Sequence, residues 1–513
     1  MLNKEKGKQI AKNAFMLYIR LLFTMSISLY ISRIVLNALG IEDYGIYNVV
    51  GGVVAMFSFL NAAMAVSTQR FLSFELGRQD QFELKRVFST AVTIHLLIGL
   101  FILILAESIG FWFIKHHLNI PIERIDAAHW VYQCTIFSFF FLIVRVPYQA
   151  GIIAHEKMNM YAYLSIFEVV LKLIAALLLI DTSYDKLKLY SVLSLLAAIV
   201  TTVFYKIYCY RKFNESKFSF IWDRNLFKVM TSYAGWSLFG SAASIGYNQG
   251  INILLNIFFN PVINAARAIA FQVNTAIQSF TNNFQLAVNP QIVKSYAIGD
   301  EKYMMSLIFQ SSKYSFFLLY IIALPVLLET EYILKLWLKT VPDYTSIFCK
   351  LIVIDALIGC VSYPLMVASQ ATGRIRLYQF VVGTLLLLNL PLTYIFFKFK
   401  FGPEYSMYVS IILSIIALAT RLIMLKRLIS LNIKVYIKAV IIRALLVGCT
   451  AFMIPFYVTQ YIDDLTLVYF LLSVVLCVIC TVLSIYYLGL DVFEKEYIRD
   501  RIAFVFRKFR FGR

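Results

Sequence analysis

Phe88-Ser-Thr-Ala-Val-Thr-Ile-His-Leu-Leu-Ile-Gly-Leu-Phe-Ile-Leu-Ile-Leu-Ala-Glu107 is the stretch that decides the fold. At 1.5 Å per residue its twenty residues make a helix about 30 Å long, the thickness of a bilayer's hydrocarbon core. The stretch is apolar on every face, so as a helix it suits lipid or a deep core and not a water-facing surface. Lys85-Arg86 stand just before it.

Stretches of this kind recur on both sides of it. Candidate spans lie near 13–36, 44–65, 88–107, 127–149, 159–181, 189–209, 229–256, 262–289, 304–328, 345–369, 375–397, 405–425, 437–458 and 464–488. The reading is an all-α polytopic membrane protein with about fourteen transmembrane helices. The longest connector, 66–87, has about 22 residues, too few for a separate catalytic domain. Composition agrees: the 513 residues are 61% hydrophobic and only 15% charged, with a mean hydropathy of +0.77. A soluble multi-domain enzyme carries about 25% charged residues. Ten Pro, 21 Gly and seven Cys exclude disordered, collagen-like and disulfide-scaffold classes.

Small motifs add little. Cys477-Val-Ile-Cys480 has CxxC spacing but no second pair and no neighbouring His, so it reads as two small apolar residues. His116-His117 lack a third ligand, and no metal or cofactor is expected. Met1–Lys12 reads as a short basic head before an uncleaved first helix.

Lys and Arg orient the chain. With both termini in the cytoplasm, cytoplasmic segments and adjoining helix ends hold 31 of the 47, against 8 in the outer loops. Most of the +19 net charge is therefore topology, aided by anionic headgroups, and does not point to nucleic acid.

The chain also repeats. Ile34-Val-Leu-Asn37 resembles Ile253-Leu-Leu-Asn256 at an offset of 219. Pro147, Lys157 and Tyr161 recur as Pro364, Arg374 and Tyr378 at 217, and Gly77 as Gly299 at 222. The repeat predicts two six-helix lobes related by a pseudo-twofold along the membrane normal, plus two C-terminal helices. The expected parts are a cytoplasmic head (1–12), an N-lobe (13–209), a cytoplasmic linker (210–228), a C-lobe (229–425), spans thirteen and fourteen (437–488) and a basic cytoplasmic tail (489–513).

Eight basic residues fall inside spans: Arg20, Arg33, Arg145, Lys172, Arg267, Lys313, Lys350 and Arg443. A central charge costs at least about 2.5–3.5 kcal/mol on insertion scales, so each needs a reason. Arg145, Lys313, Lys350 and Arg443 lie near helix ends, where snorkelling explains them. Lys172 is deepest, and Glu168, four residues earlier, shares its helix face. That pair reads either as an internal lock or as a cavity-lining pair that changes during transport. Asp355 is the other deep acid.

Amides mark spans seven and eight. Asn248, Asn252, Asn256, Asn260 and Asn264 recur every four residues, followed by Arg267, Asn274, Gln278, Asn282, Gln285 and Asn289. These spacings form a stripe, longer than interhelical hydrogen bonding at about 0.6 kcal/mol per bond would need. A wetted cavity wall is the preferred reading, packing the other. Arg forks and Lys charges among amides suit a substrate with an anionic linker and a sugar head.

Tyr30-Ile-Ser-Arg-Ile-Val-Leu-Asn-Ala-Leu-Gly40 followed by Asp43-Tyr-Gly-Ile-Tyr-Asn48 resembles the start of Wzx-type polysaccharide flippases. Leu76-Gly-Arg78 and Asn289-Pro290 are similar to the same group, and the resemblance covers about 10–430. Those proteins belong to the multidrug/oligosaccharidyl-lipid/polysaccharide exporter superfamily. The resemblance implies a flippase, not an enzyme, in the bacterial plasma (inner) membrane. It would move undecaprenyl-pyrophosphate-linked oligosaccharide repeat units to the periplasmic leaflet by alternating access, for lipopolysaccharide O-antigen or capsule. Expected partners are that lipid-linked sugar, the bilayer, a coupling H+ or Na+, and polysaccharide polymerase or assembly proteins.

Related lipid II flippases place functional arginines in helices one, two and eight. Arg20 or Arg33 and Arg267 match the first and last, whereas 44–65 contains no Arg. The expected phosphate site is Arg20, Arg33, Lys172 and Arg267. The expected glycan wall is Asn248, Asn252, Asn256, Asn274, Gln278 and Asn282, with Glu168 and Asp355 for ion coupling. The rivals are a multidrug/cation antiporter of the same superfamily and a membrane-embedded glycan polymerase or ligase. Deep charges that are net basic argue against the antiporter, and outer loops no longer than about 19 residues argue against the polymerase.

Overall fold

The computed structural model describes residues 2–55, 57–110, 112, 120–338, 340–461, 466–492, 494–496 and 499. His116 and His117 and most of the basic tail lie outside the described residues. Helices account for nearly all of the rest, and no strand occurs among the described residues.

The helices are α1 (Leu2–Ala55), α2 (Ser58–Arg78), α3 (Gln81–Leu105), α4 (Ile125–Ala154), α5 (Met158–Leu177), α6 (Lys186–Lys212), α7 (Arg224–Phe258) and α8 (Pro261–Ala297). There follow α9 (Glu301–Leu328), α10 (Thr330–Leu338), α11 (Thr345–Ala371), α12 (Arg376–Leu387), α13 (Asn389–Lys398) and α14 (Tyr405–Ile429). The short α15 (Ile433–Tyr436) leads into α16 (Ile442–Tyr461), and α17 (Leu467–Ser484) is the last. Eleven helical stretches among the described residues are long and apolar enough to cross a bilayer. Three further spans read from the sequence are not counted separately. The 44–65 span is shared between the end of α1 and the start of α2, while α7 and α8 have the length but are diluted by their amides.

Large apolar side chains cover the outer faces: Leu29 is 74% exposed, Ile104 64%, and Leu472 63%. Such a surface is matched to lipid tails. The chain is a multi-pass membrane protein.

Several boundaries depart from the sequence reading. The 66–87 connector is nearly all helix. α2 runs on to Arg78, and Asp80 starts α3 by accepting from the backbone amides of Phe82 and Glu83, so only Gln79 and Asp80 connect them. A hydropathy window ends at the bilayer, but helical hydrogen bonding does not. The 329–344 loop contains α10. The 375–397 span breaks after Leu387, because Pro391 lacks an amide hydrogen and its ring crowds the carbonyl four residues earlier. Gly40, in the motif that carried the resemblance, sits at φ +80 and ψ 171 and breaks α1, a conformation open to glycine.

By packing, the chain divides into two compact units: Met1–Ile245 with Asn283–Met304 and Val367–Thr384, and Gly246–Asn282 with Met305–Met366 and Leu385–Arg513. The first unit is built on Phe71, Leu84, Phe88, Tyr148, Tyr205 and Tyr233, and so joins α2, α3, α4, α6 and α7. In the second, the fully buried Tyr436 donates toward Ser312 and the Val361 carbonyl at 3.0 and 3.1 Å, joining α15 to α9 and α11.

Candidate functional site

In the first unit a pocket of about 400 Å³ opens beside α4, α5 and α6. Glu168 lies on its wall with a cation on either side. Its Oε2 accepts from Arg145 Nη1 at 2.8 Å and its Oε1 from Lys172 Nζ at 2.9 Å. The expected Glu168–Lys172 pair is present, and Arg145 joins it. That overturns the snorkelling reading of Arg145: the residue is 8% exposed, bonded to Glu168, and carries its guanidinium 5.2 Å from the Tyr205 ring centroid. Position near a helix end made snorkelling geometrically available, but a buried carboxylate one helix away is the better partner. Two cations share one carboxylate, so this wall carries an excess positive charge. Lys172, with its side chain 44% exposed, presents it to the pocket. Tyr47, Thr135, Ser138, Tyr190 and Ser194 add hydroxyls to the lining.

Arg20 occupies another place in the same unit. It donates to the Tyr161 hydroxyl at 3.1 Å and to Asn283 Oδ1 at 2.8 Å, with its guanidinium 4.8 Å from the Tyr161 ring centroid. Its Nε is buried and unpartnered. Asn283, adjacent to the amide stripe in sequence, carried no signal of its own. Arg33 is exposed and forms no ion pair among the described residues.

The second unit holds Arg267, 3% exposed, on α8. Its guanidinium donates to Asn252 Oδ1 and to Asn248 Oδ1, the latter at 3.3 Å, and lies 4.3 Å from the Phe271 ring centroid. The four-residue spacing of Asn248 and Asn252 on α7 is what presents both carbonyls to it. No carboxylate pairs with Arg267 among the described residues, so its charge is cradled without being neutralised. Tyr247 is also hydrogen-bonded to Arg267, and its hydroxyl meets Ser410 at 2.8 Å. Ser410 in turn donates to Asp355 Oδ2 at 3.4 Å, while Asp355 Oδ1 is buried and unpartnered. Arg267 and Asp355 are thus joined through Tyr247 and Ser410, two residues that the sequence did not single out. Of the remaining amides, Gln278 donates to Asn274 at 3.1 Å, and Asn256 and Asn282 are exposed.

Two further snorkelling assignments fail. Lys313 is 3% exposed and donates to Glu494 at 2.7 Å, and Arg443 pairs with Asp491. Both acids lie shortly after α17, where Glu494 meets α9 and Asp491 meets α16. Lys350 is half-buried without an ion pair among the described residues. Cys477 and Cys480 are buried free thiols.

No protein-family profile matches the chain, and no curated protein matches it in sequence. Solved structures do match. A multidrug resistance MATE family transporter of the MOP superfamily, in an outward-facing conformation, superposes with a TM-score of 0.72 at 14% identity, covering 83% of this chain and 96% of that one. The fold is that of the MATE transporters. A MATE in its bent conformation gives 0.74 at 14% identity, with 83% and 96% covered. A MOP superfamily transporter from Pyrococcus furiosus Vc1, described as having a binding pocket of reversed polarity that suggests a different function, gives 0.68 at 14% identity with the same coverage. Within that fold the first unit of the present chain sets Arg145 and Lys172 on Glu168, and the second buries Arg267 and links it to Asp355 through Tyr247 and Ser410.

Proposed function

We propose that this chain is a MOP-superfamily flippase for undecaprenyl-pyrophosphate-linked oligosaccharides. It would carry repeat units from the cytoplasmic to the periplasmic leaflet of the bacterial inner membrane for surface polysaccharide, with both termini cytoplasmic. The observation that carries this reading is the sign of the charge around Glu168 and around Arg267. Arg145 and Lys172 share one carboxylate, and Arg267 is held by amides and the Tyr247 hydroxyl, with no carboxylate paired to it among the described residues. Such cations attract a pyrophosphate, and Arg grips phosphate oxygens in a way a point charge does not. Hydroxyls and amides beside them suit sugars, and the lipid tail would stay in the bilayer. Alternate rocking of the two halves would expose the cations to each side in turn, with Glu168 or the Asp355–Ser410–Tyr247 chain as the place of ion coupling.

The second reading is a multidrug/cation antiporter. Similarity to a multidrug MATE transporter favours it, and the excess of basic groups over carboxylates around Glu168 and Arg267 weighs against it. Purified protein in liposomes separates the two. A flippase moves a fluorescent lipid-linked oligosaccharide between leaflets and leaves a cationic dye where it is. Dye export with no movement of the lipid-linked sugar would overturn the proposal.

A further inference from the structure

A second basic cavity lies in the first unit, away from the pocket of Glu168. It encloses about 570 Å³ where the end of α2, the start of α7 and the turn before α12 meet. Arg70, Lys228, Arg374 and Arg376 line it, and no Asp or Glu does. Arg70 fixes its floor. The guanidinium donates to the Ala371 carbonyl at 2.8 Å and lies 4.6 Å from the Phe74 ring centroid. Lys228, Arg374 and Arg376 are exposed and form no ion pair among the described residues. The nearest acid on α2, Glu75, is taken up by Arg78 at 3.7 Å.

Four cations gathered without a counter-charge are a costly arrangement unless an anion joins them. We propose that this cavity binds the phosphate-bearing headgroup of an anionic bilayer lipid. The surroundings favour a lipid over a soluble anion. Arg376 covers the Trp236 ring at 5.3 Å, and Phe239 stacks on Phe380 with centroids 6.3 Å apart along the same two helices. Val229, Leu377 and Phe380 are 55%, 65% and 54% exposed beside the cations. A headgroup seated on the cations would leave its acyl chains along this apolar face, the pattern of basic pockets between membrane helices. The site is separate from the residues proposed for transport.

Native mass spectrometry and thermal shift on the purified full-length protein in neutral detergent test it. Phosphatidylglycerol or cardiolipin should be retained and raise Tm, and phosphatidylcholine should not. The triple variant Lys228→Gln, Arg374→Gln, Arg376→Gln, confined to exposed side chains, should bind roughly a hundredfold more weakly at low ionic strength. Equal retention by wild type and variant would overturn the site. Saturation by inorganic phosphate with no preference for the anionic lipids would overturn the lipid and assign a soluble phosphate.

Discussion

Glu156, in the turn between α4 and α5, accepts a hydrogen bond at 2.5 Å from Lys294, 138 residues later on α8. Gln291 donates to its other oxygen at 2.6 Å, and the Glu156 residue is 7% exposed. The contact ties the α4–α5 turn to the end of α8, inside one packed unit. Glu156→Ala leaves a half-buried lysine without its partner, a loss of about 1–3 kcal/mol. A fall of several degrees in Tm in detergent is expected, and an unchanged Tm would show that the contact adds no stability.

Gly77 predicts a steric effect at the same place. A Cβ there would stand 2.9 Å from the Cα and carbonyl oxygen of Lys294 and from Ala297 Cβ. Backbone atoms cannot step aside, so Gly77→Ala should cost about 1–3 kcal/mol through overpacking. Thermal unfolding measures it, with Gly235→Ala, open within 4 Å, as the control.

Arg145 and Lys172 share Glu168 but should differ on mutation. Arg145→Ala removes the buried partner and should cost about 3 kcal/mol, whereas Lys172, largely open to the pocket, should cost under about 1 kcal/mol. Both should abolish surface glycan, Lys172→Ala at normal membrane abundance. Normal glycan in Lys172→Ala would withdraw Lys172 from the phosphate site.

Arg267→Lys should behave as a loss and not as a conservative change. A lysine cannot reach both Asn248 and Asn252 while lying flat on Phe271. The expected result is flipping reduced at least about tenfold with the protein still folded, assayed in liposomes. Full activity of the lysine variant would show that charge alone suffices.

Arg124, just before α4, joins α1 to the start of α6 in the first unit. It bonds Asp43, of the motif after Gly40, and Asp185, the N-cap of α6, at 2.7 Å. Burial pushes the Asp185 carboxyl up, but its hydrogen bonds to Arg124 and to the Lys188 and Leu187 amides outweigh this and hold it below its usual value. A lowered carboxylate pKa adds stability above the unfolded value near 3.9, and that stability is lost as pH falls through the folded value. Stability should therefore drop below about pH 4, less steeply in Arg124→Gln, as pH-dependent thermal unfolding would record.

Much of this was legible in the linear chain. Span length and apolarity specify where helices cross a bilayer, because neither depends on which neighbours they meet. The four-residue spacing of Glu168 and Lys172, and of Asn248 and Asn252, likewise puts side chains on one helix face before any packing is known. Pro147 sits seven residues before the end of α4, and Pro364 seven before the end of α11.

Partners across helices were not legible. Whether Arg145 snorkels or meets Glu168, whether Lys313 finds Glu494, and whether Asn283 or another amide takes Arg20 depend on interhelical contacts 23 to 263 residues apart in sequence. Local periodicity specifies a residue's face but not what stands opposite. By itself the sequence determined that this is a helical membrane protein with cations in its interior. Tertiary packing alone decided which of those cations meet a carboxylate and which do not, because a buried charge takes its character from the groups within about 4 Å of it.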